Sequence, residues 1–308
     1  MSLSVSHFLE RMIAIWPYAA LVVSMLFFAS NHVLGRLIPG EVPPIGLSLW
    51  RWVLASLIML PFTWKGLIHN APLIRAHWKL FLQLTISLVL LGNTTVYIAL
   101  NYTTAINAGI VAMAQPAATI LLTWVIFQET VSRRQTIGAI IAGVGVTIVI
   151  LRGDLQALTE IRFNIGDVWM VVSILGFTTY AIYLRKVPKG LPPLVLLNII
   201  QILGIAVLLP FYLWETAYVL PMQLNPITVI SVLWAGIIVA IGALLLWNIG
   251  NQALGANKAS AFIYLRLLMI TVLAMIILDE ELSLYHVPSF TLIVAGVYLV
   301  SKAKRPVS

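Results

Sequence analysis

The chain has 308 residues, of which 61% are hydrophobic and only 9% charged, and its mean hydropathy is +1.02. No water-soluble domain has interior enough to hide that much apolar surface, so the composition selects lipid as the solvent. The absence of cysteine excludes a disulfide framework, a thiolate metal site and a cysteine nucleophile, and the net charge of +8 sits in short loops, where it reads as membrane-side charge rather than a nucleic-acid footprint.

A span needs about 20 apolar residues. In chain order the sequence offers ten: 16–36, 44–63, 79–99, 104–127, 135–151, 167–184, 192–213, 227–248, 259–278 and 287–301. Arg11 precedes the first, which is long enough to cross and lacks a small-residue cleavage site, so it reads as a retained helix rather than a signal peptide. The connections are short apart from roughly 63–79, 152–166 and 214–226, and none holds a domain able to carry a soluble activity.

The ten spans form two sets of five. Val22-Val23-Ser24 returns 149 residues later as Val171-Val172-Ser173, and the same offset pairs Arg36 with Arg185, Pro43-Pro44 with Pro192-Pro193 and Pro61-Phe62 with Pro210-Phe211. Further along the offset becomes 151: Ala105 matches Ala256, Glu129 matches Glu280, Ser132 matches Ser283 and Gly145 matches Gly296. Apolar bias alone does not align prolines, charges and glycines in order. The repeats are placed at 16–151 and 167–301. Internal repetition of this kind is how secondary transporters are built.

An odd number of spans per repeat turns the second copy upside down, and the charges agree. With the N-terminus in the cytoplasm, 13 of the 18 lysines and arginines fall on the inner side, while Arg36, Arg152 and Arg162 fall outside. Arg133-Arg134 after span four becomes Leu284-Tyr285 after span nine, and Leu37 and Gly40 after span one become Lys186 and Lys189 after span six. The expected fold is therefore an all-α polytopic membrane protein of ten transmembrane helices in two inverted five-helix repeats. Its expected location is the cell (inner) membrane, with both termini cytoplasmic.

Several of these segments carry a resemblance. Residues 105–150, with Asn107-Ala108-Gly109, Gln115-Pro116 and Phe127-Gln128-Glu129-Thr130-Val131-Ser132, resemble the terminal half of an EamA domain. Leu254-Gly255-Ala256-Asn257-Lys258-Ala259-Ser260 through Tyr264-Leu265, Glu280 and Ala295-Gly296-Val297 resemble it again, and Asn31 with Leu49-Trp50-Arg51-Trp52 looks like the family's opening helix pair. The resemblance spans nearly all of 16–301 and implies the drug/metabolite transporter superfamily: ten helices, cytoplasmic termini and, commonly, export of amino acids or other small metabolites. One departure stands out: the second copy usually has proline shortly after Tyr-Leu, whereas here Arg266-Leu267 follows Leu265.

Gln115 and Arg266 occupy equivalent positions near the middle of spans four and nine, where transporters of this construction bind substrate. An arginine at that depth costs about 2.5–3.5 kcal/mol on insertion scales. Two readings follow: an anchor for a substrate carboxylate or phosphate, or an arginine that bonds helix carbonyls or snorkels to the interface. Arg51 lies two turns into span two, where the resemblance puts a basic residue, and reads as a helix-packing residue or one bonding outer-end carbonyls in preference to a substrate contact. Pro116 removes a backbone donor and marks a hinge in span four.

Asn31 and His32 lie in the outer third of span one, opposite Tyr180-Ala181 of the second copy. His32 is either a proton carrier or a neutral, hydrogen-bonded imidazole. Glu129 and Glu280 end spans four and nine at positions that oppose the helix dipole, so turn bonding or gating must retain them. Ser132 with Gln135 reads as a capping box for span five. Of the polar and aromatic residues near span ends, Tyr97 and Tyr264 are the two assigned to the cavity.

The expected substrate-binding set is thus Arg266, Gln115, Asn31, Tyr264 and Tyr97, with His32, Pro116, Glu129 and Glu280 in coupling or gating. No catalytic residue, metal or cofactor is expected. An intramembrane enzyme would need a nucleophile, base or metal set that one in-span histidine does not supply. The expected function is alternating-access export of a small organic metabolite, an amino acid or organic anion; polyspecific drug efflux and uptake are the alternatives. The partners are a small-molecule substrate and membrane lipid, not nucleic acid, and the chain acts as a monomer or homodimer.

Overall fold

The computed structural model of the protein describes residues 2–128, 132–154, 164–254 and 256–302. Among them there is helix and no strand: α1 (Ser2–Leu37), α2 (Pro44–His69), a short α3 (Ala71–Ala76), α4 (Trp78–Leu100), α5 (Ala105–Ala112), α6 (Gln115–Phe127) and α7 (Arg133–Ile150) come first. The second half holds α8 (Ile165–Leu184), α9 (Pro193–Tyr218), α10 (Pro226–Leu233 through Trp234–Ala243 to Leu244–Leu254), α11 (Ala256–Ile277) and α12 (His286–Lys302).

Seven of these helices contain a length apolar enough to cross a bilayer, and α5 with α6 forms an eighth span bent by 45°. The apolar lengths Leu265–Ile277 of α11 and His286–Leu299 of α12 are shorter, so seven or eight described helices are long and apolar enough to cross, a layout consistent with the expected ten. Large side chains such as Phe62, Ile230 and Ile276 are 62–82% exposed. On a soluble protein they would form adhesive patches; on a polytopic membrane protein they meet acyl chains.

Several boundaries differ from the expected ones, α1 beginning at Ser2 rather than 16 and α10 running to Leu254 rather than 248 among them. The α2 helix continues past Pro61 to His69, and α3 fills part of the connection expected at 63–79. Asn70 ends α2, its backbone N–H and side-chain Nδ2 both donating to Gly66 O. The α9 helix runs to Tyr218 rather than 213, because Glu215 in the added turn accepts from the amides of Ile45 and Gly46 at the start of α2.

Packing between the halves follows the sequence offsets. The α2 helix packs on α9, α7 on α12 and α5 on α11; α1 lies against α10 and α11 as α8 lies against α4 and α5–α6. Single bonds repeat too: Ser24 Oγ donates to Ala243 O at 2.8 Å, and Ser173 Oγ donates to Gly92 O at 2.7 Å. In lipid no hydrophobic force draws helices together, so close backbone approach at small residues does that work. A Cβ on Gly145 would lie 2.7 Å from Ile293 Cγ1, and one on its repeat partner Gly296 would lie 2.6 Å from Ala142 N.

Matched π-helical segments interrupt the third span of each half, Ile86–Thr94 and Trp234–Ala243. In the first, Asn93 Nδ2 and Thr94 Oγ1 fold back to carbonyls five residues earlier, Leu88 O and Val89 O, each at 2.8 Å. The widened turn supplies carbonyls that a regular helix keeps occupied. The bundle thus has two ends, here called the Leu37 end and the His69 end after the residues that finish α1 and α2.

Candidate functional site

A cavity of about 320 Å³ lies at mid-depth between the two halves. Four of the expected residues stand on its wall: Asn31 and His32 from α1, Gln115 from the start of α6 and Arg266 from α11. Their repeat partners stand there as well, since Tyr180 and Ala181 of α8 match Asn31 and His32 at the offset of 149. His32 Nδ1 lies 3.2 Å from Phe28 O, one turn earlier in its own helix. No carboxylate appears among the described lining residues, so Arg266 faces the cavity without a counter-ion there.

Gln115 reaches the wall because the fourth span breaks beside it. The last turn of α5 tightens, with Met113 and Ala114 donating to Ile110 O and Val111 O at 3.1 and 3.0 Å. Pro116, which lacks an N–H for the Ala112 carbonyl, falls in the first turn of α6 just beyond the 45° bend. The equivalent helix α11 has leucine in place of the proline and runs unbroken from Ala256 to Ile277.

Tyr97 stands behind the wall rather than on it. Its ring is 2% exposed, and its hydroxyl donates to Asn31 Oδ1 at 2.7 Å and accepts from Arg51 NH1 at 2.5 Å. Arg51 also donates to Asn93 Oδ1 at 2.8 Å, and its guanidinium carbon lies 4.4 Å from the centroid of the Trp52 ring. The Arg51 Nε–H is buried without an acceptor. Both Arg51 and Asn93 line the cavity, and sequence reasoning left Arg51 mainly to packing and missed Asn93. An arginine inside a span with no acid near it was the available signal for Arg51. Asn93 depends on the π turn, which an apolar run does not announce.

Glu280 lies far from the cavity, at the Leu37 end. Its carboxylate accepts from the backbone N–H groups of Ala105 and Ile106 at 2.8 and 3.0 Å, and Arg36 Nε approaches it to 3.7 Å. A carboxylate that opposes the dipole of its own helix therefore sits at the favourable N-terminus of a helix from the other half. Glu129 lies outside the described residues, as does the side chain of Tyr264. The capping box of Ser132 and Gln135 is formed, with bonds of 3.3 and 2.9 Å.

A second polar knot closes the same end. Asp167, fully buried in the first turn of α8, accepts from Thr103 Oγ1 at 2.5 Å. Asn107 of α5 reaches Asp167 with Nδ2 at 3.5 Å, and its Oδ1 lies 2.7 Å from His286 Nε2 and 3.2 Å from the Tyr285 hydroxyl. Because the Ser283 N–H donates to His286 Nδ1, the ring proton belongs on Nε2, facing Asn107. Polar bonds thus tie α1, α5, α8, α11 and α12 together at the Leu37 end. The cavity extends the other way, past Tyr180, Leu197, Leu244 and Trp247, toward the His69 end.

A bundle of apolar spans with a mid-depth cavity between matched halves, its mostly apolar wall carrying two arginines, has the architecture of a secondary transporter. The EamA-like transporter family matches residues 15–151 and again 164–302, and the chain belongs to that family. An "Uncharacterized transporter" of Archaeoglobus fulgidus is 25% identical over 283 residues, covering 91% of this chain and 96% of the relative. The "Uncharacterized transporter YyaM" of Bacillus subtilis is 23% identical over 294 residues, 94% of each chain. A crystal structure aligns over 92% of this chain and 96% of its own with a TM-score of 0.56 at 16% identity, a likeness of fold alone.

Proposed function

We propose that the protein exports a small organic metabolite, an organic acid or amino acid, by alternating access across the cytoplasmic membrane. The observation that carries this reading is Arg266: a guanidinium on the wall of a mid-depth cavity, with no described carboxylate beside it. A buried cation in that setting is stabilised by an anionic occupant, and a guanidinium grips a carboxylate through two parallel bonds. Cation efflux would call for a buried acid on the wall, where this chain carries a base.

The division of lysines and arginines supports placing the His69 end in the cytoplasm. The cavity then leads to the cytoplasm, and the polar knots at the Leu37 end close the outer face. In the reading as an exporter this is the state that loads substrate. Inversion of the repeats supplies the opposite state by exchanging the conformations of the two halves.

The test is release of organic acids and amino acids from loaded cells carrying the wild-type chain, Arg266→Leu or Arg266→Lys. Leu abolishes release at unchanged membrane abundance, and Lys, which keeps charge but not the fork, retains a fraction of it. Wild-type release by the Leu variant would return Arg266 to packing.

A further inference from the structure

We infer that the cavity is built for a dianion, with Arg51 as a second anchor in addition to Arg266. The inference rests on the proposed role of Arg266 and goes beyond it by naming the charge of the substrate. Two guanidiniums line one cavity of about 320 Å³, and none of its described lining residues is a carboxylate. Arg51 comes from the first half and Arg266 from the second, so an occupant held by both would bridge the parts that move.

Arg51 is held in place by neutral groups only. Of its five N–H bonds, one on each terminal nitrogen is engaged, by Tyr97 and Asn93, and Nε–H is buried with no acceptor. Tyr97 is itself fixed by its bond to Asn31. These partners orient the fork and leave its charge intact. A packing arginine in lipid is normally neutralised by an acid or by helix carbonyls; here the two bonds go to a phenol and an amide that also belong to the cavity surround. The repeat equivalent of Arg51 is Ile200, so the charge belongs to one half of the cavity only.

The same wall disfavours a zwitterion. An ammonium group would enter beside two fixed positive charges in a poorly solvated space, with no described acid to receive it. A second carboxylate, or the second charge of a phosphate monoester, meets the guanidinium that a monoanion leaves unanswered.

The full-length protein in lipid nanodiscs is titrated with succinate and glutarate, with butyrate and valerate as single-charge counterparts, with glycerol phosphate, inorganic phosphate and sulfate, and with alanine as a zwitterion. At least one dianionic organic acid is expected to bind roughly tenfold to hundredfold more tightly than its monoanionic counterpart. Whether dicarboxylate or phosphate monoester wins separates the two forms of that charge. Arg51→Gln is expected to bring the two affinities within about twofold of each other while monoanion binding persists, and Arg51→Lys is expected to keep part of the preference. Both variants failing to fold leaves the wild-type preference as the deciding measurement. Monoanions binding as tightly as dianions would overturn the second anchor and leave the reading of Arg266 intact. Binding of phosphate and sulfate but no organic acid would overturn the organic substrate of both readings, and an amino acid preferred over every dianion would overturn the second anchor alone.

Discussion

The contact of Glu280 with α5 gives a quantitative handle on the outer closure. Glu280→Ala removes the acceptor for the amides of Ala105 and Ile106, bonded at 2.8 and 3.0 Å. Bonds to a charged group contribute about 1.5–3 kcal/mol each. The Glu280 side chain retains 8% exposure at the end of the bundle, where water can replace part of the loss, so the lower figure applies to each bond. The Arg36 contact at 3.7 Å is long, and Arg36 is one-third exposed, so it adds no more than about 1 kcal/mol. The closed Leu37 end is then stabilised by roughly 3 kcal/mol, or about a hundredfold in the closed-to-open ratio at 1.4 kcal/mol per tenfold.

The chain has no cysteine, so a single introduced thiol reports without background. Ala112 lines the cavity and is 7% exposed, which makes Ala112→Cys a small change at a place reached only through an open end. A membrane-impermeant maleimide applied from the Leu37 side should label that thiol about a hundredfold faster in Glu280→Ala, and about tenfold faster in Glu280→Gln, whose carbonyl keeps neutral bonds. Equal labelling rates, with folded protein at equal abundance, would refute the latch and leave Glu280 as a cap that both states share.

Two further outcomes follow from the helices themselves. Pro116→Ala restores an N–H for the Ala112 carbonyl and should stiffen the 45° bend, slowing transport while substrate affinity measured at equilibrium stays within about twofold; equal loss of rate and affinity would mark Pro116 as a packing residue. Gly296→Ala places a methyl group 2.6 Å from Ala142 N, and overpacking of that kind costs about 1–3 kcal/mol, so the thermal midpoint should fall. An unchanged midpoint would show that α7 and α12 separate freely.

The fold was legible because its determinants are local and repeated. Prolines at 43–44 and 192–193 start equivalent helices, the Ser132 cap starts α7, and glycines matched at 145 and 296 press into partner helices. The cavity was partly legible: mid-span polar residues at equivalent positions converge, which is why Asn31, His32, Gln115 and Arg266 share one wall. What sequence could not show was partnership across the halves. Turn bonding and gating both stood open for Glu280, and neither points to the helix 175 residues earlier whose start it caps. Glu215 was assigned to a loop because its amide donors lie 170 residues away, and Tyr97 was assigned to the cavity although its hydroxyl serves the residues in front of it.

The repeat is symmetric in its scaffold and asymmetric in its charges, and the two properties answer different needs. Matched packing, matched π segments and the paired bonds of Ser24 and Ser173 give two halves whose conformations can be exchanged at little energetic cost. A binding site shared by both states must not be duplicated, however, since two equivalent sites would hold substrate on both sides of the barrier. The two cavity arginines and Glu215 accordingly have uncharged counterparts, Gln115 for Arg266, Ile200 for Arg51 and Gly66 for Glu215, whereas Glu280 is matched by Glu129. The pairing of Glu215 with Gly66 also breaks the closures apart. Glu215 locks the start of α2 through two amides, while at the other end a Cβ on Gly66 would collide with Val195 at the start of α9. One end is thus held by charge-assisted bonds, while near the equivalent place at the other, one turn from Gly66, α2 and α9 are tied by neutral bonds, Asn198 donating to Thr63 and accepting from Ser56. With the scaffold energies balanced, that difference biases the empty transporter toward the state closed at the Leu37 end. An occupant bridging Arg51 and Arg266 would then act on the remaining term, the relative position of the halves, which is where substrate binding has to work for transport to be coupled to it.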